Sequence, residues 1–375
     1  MSRFSVLSVL ALVLLPWPAA VQAELRYRVE GLGLPDGLQG SLLYVTPMAL
    51  NNRGEVTGFV DGAIEQTGFV YRNGHMQLLR DSRQRHVLLG DDINDRGQIV
   101  GQLLLDNEQR VPYVLDKGRF KDLGRPLDRD EWGEALGINE AGQVVGRLGQ
   151  KGFIYDGTRS RYLQVPNPGT VWAQDINDAG VIVGEAFVNA PDGPNVWTFI
   201  SEGSGFKLLE PPTEDGFSVL ALDVNNAGQM LQLAMRNGTV RSFIYADGRY
   251  TPIPELGQEP STRLLALNNQ GWGVGDYSSL HGSALLYRDG VSYNLTSLIR
   301  PLDAANWILQ SAADINERGQ IVGYGIFRGE PGLQAFIATP VPEPGAWALM
   351  LGGLALMGAA ARRRAADRSA PVAGA

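Results

Sequence analysis

Residues 92–101 read DINDRGQIVG, and their alternation of Asp, Asn and Asp before a Gly is how a calcium-binding loop begins. A loop of that kind needs oxygen ligands at its first, third and fifth positions and a carboxylate at its twelfth. Counted from Asp92, the fifth position is Arg96 and the twelfth is Leu103, and neither side chain can ligate calcium. We therefore interpret the stretch as a tight β-hairpin turn and predict no metal site.

The same pattern recurs along the chain, which indicates a repeated structural unit. Seven Asn residues open the Asn-x-x-Gly turns: Asn51, Asn94, Asn139, Asn177, Asn225, Asn268 and Asn316. Their spacing of 38 to 48 residues is typical of propeller blades. Asn accepts left-handed backbone geometry and Gly supplies a positive φ, so each turn should join the first two strands of a blade.

Four of these repeats carry an Asp two residues before the Asn. They are Asp92, Asp175, Asp223 and Asp314. Because side chains alternate along a strand, each Asp should share a strand face with its Asn. Two interpretations stay open: the carboxylates bond the backbone of a neighbouring blade, or they form a ring around a central channel.

Each repeat continues with two more short β-prone runs, such as KGFIYDG followed by SRYLQV. Four antiparallel strands per repeat predict an all-β fold, a seven-bladed β-propeller of four-stranded blades over residues 24–340. The last repeat lacks a fourth run, so the mature N-terminal strand, ELRYRVEGLGL, should pair into the last blade and close the ring. A β-solenoid or a two-domain arrangement is the alternative.

The repeats resemble HAF-type extracellular repeats, in which a small-x-aromatic strand alternates with an IN…G.VVG hairpin. The matching strand positions are Phe69, Tyr113, Phe153, Phe199, Phe243, Leu285 and Phe336, although the literal HAF triplet is absent. The resemblance implies a surface location more firmly than any activity.

Both ends of the chain read as targeting segments. Residues 1–23 combine Arg3, an apolar run and a small-x-small site ending at Ala23, which predicts a signal peptide. Near the other end, Pro342-Glu343-Pro344 precede an apolar stretch over 345–361 and then Arg362-Arg363-Arg364. The stretch predicts a short transmembrane helix with the arginines on the cytoplasmic side.

Residues 341–364 resemble a PEP-CTERM sorting signal, and residues 365–375 should form a disordered tail. The resemblance implies processing by an exosortase-type enzyme and transient anchoring in the inner membrane of a Gram-negative bacterium. It also implies delivery to the cell envelope, the outer surface or an extracellular matrix that contains polysaccharide.

Composition excludes several classes of function. The chain has no Cys, which excludes thiol chemistry, disulfides and cysteine-ligated metals. A net charge of −8 without a basic segment in the body of the chain gives no support for nucleic-acid binding. No GxSxG motif accompanies the three His residues, so we predict no catalytic triad and no cofactor.

The loops between blades hold the candidate ligand-binding residues: Trp132, Trp172, Phe217, Trp307 and His86. Aromatic rings beside polar groups suit the apolar faces of sugars. Alternatively, the rings only fill gaps between blades. We predict an exported propeller with a non-catalytic binding or structural role at the cell surface. A carbohydrate-active enzyme, either a polysaccharide lyase or a glycosidase, is the alternative.

Overall fold

A computed structural model describes most of the repeat region. The described residues are 25–38, 43–62, 64–82, 85–128, 130–164, 170–190, 193–203, 205–212, 218–257, 261–277, 282–330, 332–341 and Met357. Residues Tyr27–Pro340 form one compact unit. The predicted processing residues Ala23, Pro342, Glu343, Pro344, Arg362, Arg363 and Arg364 lie outside the described residues, as does Phe217.

The first described strand is β1 (Arg26–Gly31), which pairs with the last described strand, and the residues between them form successive antiparallel sheets. The first sheet holds β2 (Leu43–Leu50), β3 (Val56–Gly62), β4 (Thr67–Arg72) and β5 (His75–Leu78). The second sheet holds β6 (His86–Ile93), β7 (Ile99–Leu104), β8 (Arg110–Asp116) and β9 (Arg119–Asp122). In each sheet the Asn-x-x-Gly turn joins the first two strands, as predicted.

The next two repeats share one eight-stranded sheet. It holds β10 (Gly133–Ile138), β11 (Val144–Leu148), β12 (Lys151–Tyr155), β13 (Ser160–Tyr162), β14 (Thr170–Ile176), β15 (Ile182–Ala190), β16 (Gly193–Glu202) and β17 (Gly205–Leu209). The short strand β13 covers β12 only over Phe153–Tyr155, which leaves Lys151 free to pair in parallel with Val171 of β14.

Three further four-stranded sheets complete the fold. One holds β18 (Ser218–Val224), β19 (Met230–Arg236), β20 (Thr239–Ala246) and β21 (Arg249–Pro252). Another holds β22 (Thr262–Leu267), β23 (Gly273–Tyr277), β24 (Ser283–Arg288) and β25 (Val291–Asn294). The last holds β26 (Trp307–Ile315), β27 (Ile321–Phe327) and β28 (Leu333–Val341), with β1 as its outer strand. The N-terminal strand therefore pairs into the last sheet, as predicted.

Two parts of the predicted fold need correction. Seven separate four-stranded blades are not found: the propeller has five four-stranded blades, and the repeats over Gly133–Leu209 are joined in the eight-stranded sheet. The predicted transmembrane helix is not found in the described part of the chain either, and its stretch, 345–361, lies outside that part except for Met357. Within the described residues, no helix is long and apolar enough to cross a membrane. The helices there are single turns, the 3-10 helix Leu295–Leu298 and α1 (Pro301–Ala304).

The core lies between neighbouring sheets, where the third strand of each repeat presents a large buried side chain. These residues are Phe69, Tyr113, Phe153, Phe199, Phe243, Leu285 and Phe336, each at most 7% exposed. Opposite them, the second strand usually carries a Gly beside a bulge in the first strand. At Gly146, an added Cβ would lie 2.0 Å from the carbonyl oxygen of Glu134, so the strands pack too closely for a side chain.

Candidate functional site

The Asn-x-x-Gly turns meet around the centre of the propeller in a closed ring of hydrogen bonds. Each Asn side-chain nitrogen donates to the backbone carbonyl of the Asn in the next repeat, at 2.8 to 3.2 Å. In Asn94, the side-chain oxygen also accepts the backbone N–H groups of Arg96 and Gln98. The amide groups that a calcium ion would need are therefore occupied by the protein, and the predicted structural role of the Asn residues is confirmed.

A second closed ring lies at the mouth of the channel, one residue further along each turn. Its members are Asn52, Asp95, Glu140, Asp178, Asn226, Asn269 and Glu317. Each side-chain oxygen accepts the backbone N–H of the corresponding residue in the preceding repeat. Position two of each turn thus requires an acceptor, and Asp, Asn or Glu all supply one.

The four predicted aspartates line the channel and bond the backbone between repeats. Asp92 accepts the N–H of Ile138 in the next repeat at 2.8 Å and that of Ile93 in its own repeat at 2.7 Å. Asp175 and Asp314 likewise accept one N–H from their own repeat and one from the next, whereas Asp223 accepts only that of Leu267 in the next repeat. Together they accept the N–H groups that directly precede the seven Asn residues: Leu50, Ile93, Ile138, Ile176, Val224, Leu267 and Ile315. The four aspartates therefore both bond the backbone of a neighbouring repeat and line the channel, so the two interpretations of the sequence apply together.

Burial away from water raises the pKa values of these carboxyl groups. Desolvation, reinforced by the nearby Asp175 charge, raises the pKa of Asp92 to about 8, against the opposing effect of its N–H donors. Desolvation likewise raises the pKa of Asp314 to about 6. Asp175 and Asp223 are hydrogen-bonded to each other. Desolvation first and the Asp175 charge second raise the pKa of Asp223 well above its ordinary value.

The channel offers little room for a substrate. The cavity lined by the four aspartates measures about 150 Å³, and the one lined by the two turn rings measures about 220 Å³. Both fall below the roughly 300 Å³ at which small-molecule sites begin. No cluster of three or more potential metal-ligating side chains with metal-site geometry is present in the described part of the chain. Proton transfer and small-ion or water binding are the chemistry this arrangement can offer.

On the opposite face, Trp132 and Trp172 are brought together by a cation that the sequence did not indicate. The guanidinium of Arg147 lies 5.3 Å from the ring of Trp132 and 4.6 Å from that of Trp172. It also pairs with Glu134 at 3.0 Å. A second guanidinium, that of Arg110, lies 5.4 Å from Trp132. Arg147 therefore links the two Trp rings of neighbouring repeats, and the ring of Trp132 stays 47% exposed.

Trp307 lines a separate cavity, which we call the Trp307 cavity. It measures about 670 Å³ and lies where the last sheet meets the first. Trp307 is only 5% exposed and packs 5.0 Å from Phe327, so it forms the cavity wall rather than an open platform. Tyr44, which is 52% exposed, stands on the other side.

The polar side chains that line the Trp307 cavity differ in how far the fold itself uses them. Asp303 accepts the N–H of Val29 at 3.0 Å and pairs with Arg300 at 2.9 Å, so its carboxylate is committed to the fold. Asn306 and Glu330 come from the loops before β26 and after β27. These two side chains supply an amide and a carboxylate next to the aromatic walls.

Tyr44 was missed by the sequence analysis, although a signal was present. It lies seven residues before Asn51, the same offset that separates Trp132 from Asn139. Its place at the start of a first strand puts it on the face that carries the loops between repeats. A search for aromatic residues seven positions before each turn Asn would have identified Tyr44.

His86 lines a separate cavity of about 600 Å³ between the first and second sheets, which we call the His86 cavity. Its ring nitrogens lie 3.1 Å from the Thr67 hydroxyl and 3.4 Å from the Glu65 carboxylate. The predicted candidates thus separate into three places: the Trp132–Trp172 pair, the Trp307 cavity and the His86 cavity.

Comparison with known proteins identifies one sequence motif. Residues 340–364 match the model of the PEP-CTERM protein-sorting motif, which confirms the predicted sorting signal and supports export to the cell envelope. A comparison with curated protein sequences finds no match. The similarity to HAF-type repeats stays a prediction.

Several solved structures are similar to this chain, and one of them has a TM-score above 0.5. An oligogalacturonate lyase in complex with manganese has a TM-score of 0.52 at 11% identity, covering 86% of this chain and 98% of that one. An oligogalacturonate lyase from Vibrio parahaemolyticus has a TM-score of 0.49 at 11% identity, with 85% and 98% covered. The six-bladed fucose-binding lectin of Aleuria aurantia has a TM-score of 0.35 at 12% identity, with 65% and 91% covered. At these identities the similarity concerns the fold alone.

Proposed function

We propose that this protein is an exported β-propeller of the Gram-negative cell envelope that binds polysaccharide without cleaving it. The observation that carries the proposal is the Trp307 cavity, which combines aromatic walls with an amide and a carboxylate. Such a combination suits sugars, whose apolar faces pack on rings while their hydroxyl groups bond polar side chains. Its volume of about 670 Å³ lies within the range of small-molecule sites, roughly 300 to 1,000 Å³.

The loops around the Trp307 cavity support binding at this place. Asn306 ends the segment before β26, and Glu330 lies between β27 and β28. The cavity is therefore bordered by loops on a rigid frame, which is where propellers and other β-folds can vary a ligand site without disturbing the core.

The state of the channel carboxyl groups supports a non-catalytic role. An enzyme of the lyase or glycosidase class needs an acid and a base that can reach the substrate. The pair that best fits this requirement is Asp175 and Asp223, which lie within hydrogen-bonding distance of each other. Both carboxyl groups accept backbone N–H groups of neighbouring repeats, and the cavity beside them holds only about 150 Å³. The hydrogen bonds that these two carboxylates make between repeats explain their presence in the channel without a catalytic role.

The sorting motif gives the location of this binding function. A PEP-CTERM motif implies processing by an exosortase, so the propeller would be released from its sorting tail on the outer side of the inner membrane. We place the processed protein at the cell surface or in the extracellular matrix, next to the polysaccharide that it binds.

The test is a panel of purified polysaccharides, with binding measured by calorimetry and cleavage by release of reducing ends. We expect binding without cleavage, and a loss of affinity of at least 10-fold in Tyr44→Ala and Asn306→Ala. Tyr293→Ala, which removes a ring 37% exposed on the outer strand β25, is the matched control and should bind as the native protein does. Release of reducing ends that is lost in Asp175→Asn would overturn the proposal in favour of the enzyme.

A further inference from the structure

The His86 cavity has the shape and lining of a second ligand site. It measures about 600 Å³ and lies beside the loop after β3 and the loop before β6. Apolar side chains form part of its surface: Leu38, Ile64, Leu78, Leu79 and Val87. Charged and polar side chains form the rest: Glu65, Thr67, Arg80, Asp81, Arg85 and His86.

The hydrogen bonds around His86 place a carboxylate beside its ring. The Thr67 hydroxyl donates its single proton to the backbone carbonyl of Glu65 at 2.8 Å. The same hydroxyl lies 3.1 Å from His86 Nε2 and can accept a proton from this nitrogen. Nδ1 lies 3.4 Å from a carboxylate oxygen of Glu65, so the fold already holds a carboxylate at this edge of the ring.

The hydrogen bond from the Thr67 hydroxyl to Glu65 also argues against His86 as the base that activates Thr67. A general base would accept the hydroxyl proton at Nε2, whereas here that proton is directed at the Glu65 carbonyl. The group of Glu65, His86 and Thr67 therefore supplies hydrogen-bonding groups to the cavity rather than a nucleophile.

Among the other charges of the cavity, Arg80 is the cation without an ion-pair partner in the described part of the chain. Arg85 pairs with Asp81 at 2.5 Å, with side chains only 11% and 3% exposed, so this pair is neutral and fixed. Arg80 is exposed and forms no ion pair within the described part of the chain. Glu65 is the remaining anion, and its side chain is 88% exposed. A ligand carboxylate could replace it beside His86 at little structural cost, because an exposed side chain has water to move into.

We infer that the His86 cavity binds a carboxylate-bearing sugar, with the ligand carboxylate taking the place of the Glu65 carboxylate beside His86 and Arg80. The apolar side of the cavity would contact the sugar ring. The inference rests on the proposed function and narrows its ligand to an acidic polysaccharide. The protein itself has a net charge of −8, so preference for a polyanion requires a local cationic site.

The test compares polygalacturonic acid with the same polymer after reduction of its carboxyl groups, using the full-length protein. We expect the native protein to bind the acidic form at least 10-fold more tightly. His86→Gln and Arg80→Gln should each reduce this preference to less than 3-fold, and Glu65→Gln should increase it. Arg249→Gln, which removes an exposed charge from β21, is the control for a general loss of positive charge and should leave the preference unchanged.

The outcomes separate the two proposals. Equal binding of the acidic and reduced polymers, weakened in both cases by Tyr44→Ala, would overturn the acidic-sugar inference and leave the proposed function intact. A full preference for the acidic form in both His86→Gln and Arg80→Gln would also overturn the inference. Failure of the whole polysaccharide panel to bind would instead overturn the proposed function. Because Arg80 is exposed, its variant is expected to fold, and it keeps the test decisive if His86→Gln does not.

Discussion

The side-chain nitrogen of Asn316 donates a hydrogen bond of 3.0 Å to the backbone carbonyl of Asn51, 265 residues away in the sequence. This contact joins the last repeat to the first and completes the ring of Asn residues. Each member accepts backbone N–H groups of its own turn and donates to the next repeat. The ring therefore ties the local turn conformation to the position of the neighbouring repeat, an arrangement in which hydrogen bonds reinforce one another.

Replacement of Asn94 should separate its two roles. Asn94→Asp keeps an oxygen for the N–H groups of Arg96 and Gln98 but places a second oxygen against the carbonyl of Asn139. Because a buried carbonyl would then face a carboxylate without a donor, we expect a loss of about 2 to 4 kcal/mol in the free energy of unfolding. Chemical unfolding followed by fluorescence measures this loss.

The matched control is Gln77→Ala, which removes an exposed amide from the outer strand of the first sheet and should change stability by less than about 0.5 kcal/mol. Native stability of Asn94→Asp at neutral pH would show that the bond between repeats does not contribute.

The channel aspartates predict a fold that loses stability as the pH rises. Asp92 has its pKa raised from the ordinary value of 3.8 to about 8, and Asp314 has its pKa raised to about 6. Between pH 4 and pH 8 the folded protein therefore retains protons that the unfolded chain has released. Stability from these groups is fully present below the ordinary pKa and is lost as the pH passes the folded value, by up to about 1.4 kcal/mol per pH unit for each proton.

Urea unfolding at several pH values measures this dependence. We expect greater stability at pH 5 than at pH 8, and a flatter profile above pH 6 in Asp92→Asn, whose amide does not titrate. Asp130→Asn, at an exposed position, is the control and should leave the slope unchanged. Stability that rises steadily from pH 5 to pH 8 in the native protein would contradict the prediction.

Features set by local chemistry were predictable from the sequence. The Asn-x-x-Gly turns, the bonding of the aspartates to the backbone and the closure by the N-terminal strand follow from residue type, spacing and the missing fourth strand of the last repeat. The joining of two repeats into one eight-stranded sheet was not predictable in this way. It depends on β13 ending after three residues and leaving Lys151 uncovered, which repeat spacing does not reveal.

The candidate residues could be found by their spacing from the Asn turns, but their place in the structure could not: Trp132 lies in the loop before β10, whereas Trp172, Trp307 and His86 lie in strands β14, β26 and β6. The contact of Trp132 and Trp172 with Arg147 comes from a second strand, β11, in the space between repeats. Trp307 lies beside a cavity, but neighbouring aromatic rings bury it. Burial between repeats depends on which side chains meet across the gap, and the sequence of a single repeat does not contain that information.

The Gly residues of the second strands predict a steric requirement that can be tested. In Gly146→Ala, the added Cβ would lie 2.0 Å from the carbonyl oxygen of Glu134 and 2.9 Å from the Cα of Ala135. Both atoms belong to the backbone of the adjacent strand, so strand β10 must shift. We expect a loss of at least about 2 kcal/mol in the free energy of unfolding or a failure to fold. Gly205→Ala, whose nearest contact is 3.1 Å, should cost much less, and equal losses would contradict the steric explanation.

Arg147 and Trp172 should be energetically coupled, because the guanidinium lies 4.6 Å from the ring and is largely shielded from water. A double-mutant cycle of Arg147→Met and Trp172→Leu should give a coupling free energy of about 1 to 2 kcal/mol, as expected for a desolvated cation–π contact. The matched pair is Arg110 and Trp132, where the ring is 47% exposed and the distance is 5.4 Å. Its coupling should stay below about 1 kcal/mol. Coupling of the Arg147 pair no larger than that of the exposed pair would mean that Arg147 acts through its ion pair with Glu134 alone, and the two Trp rings would then contribute only by filling space between repeats.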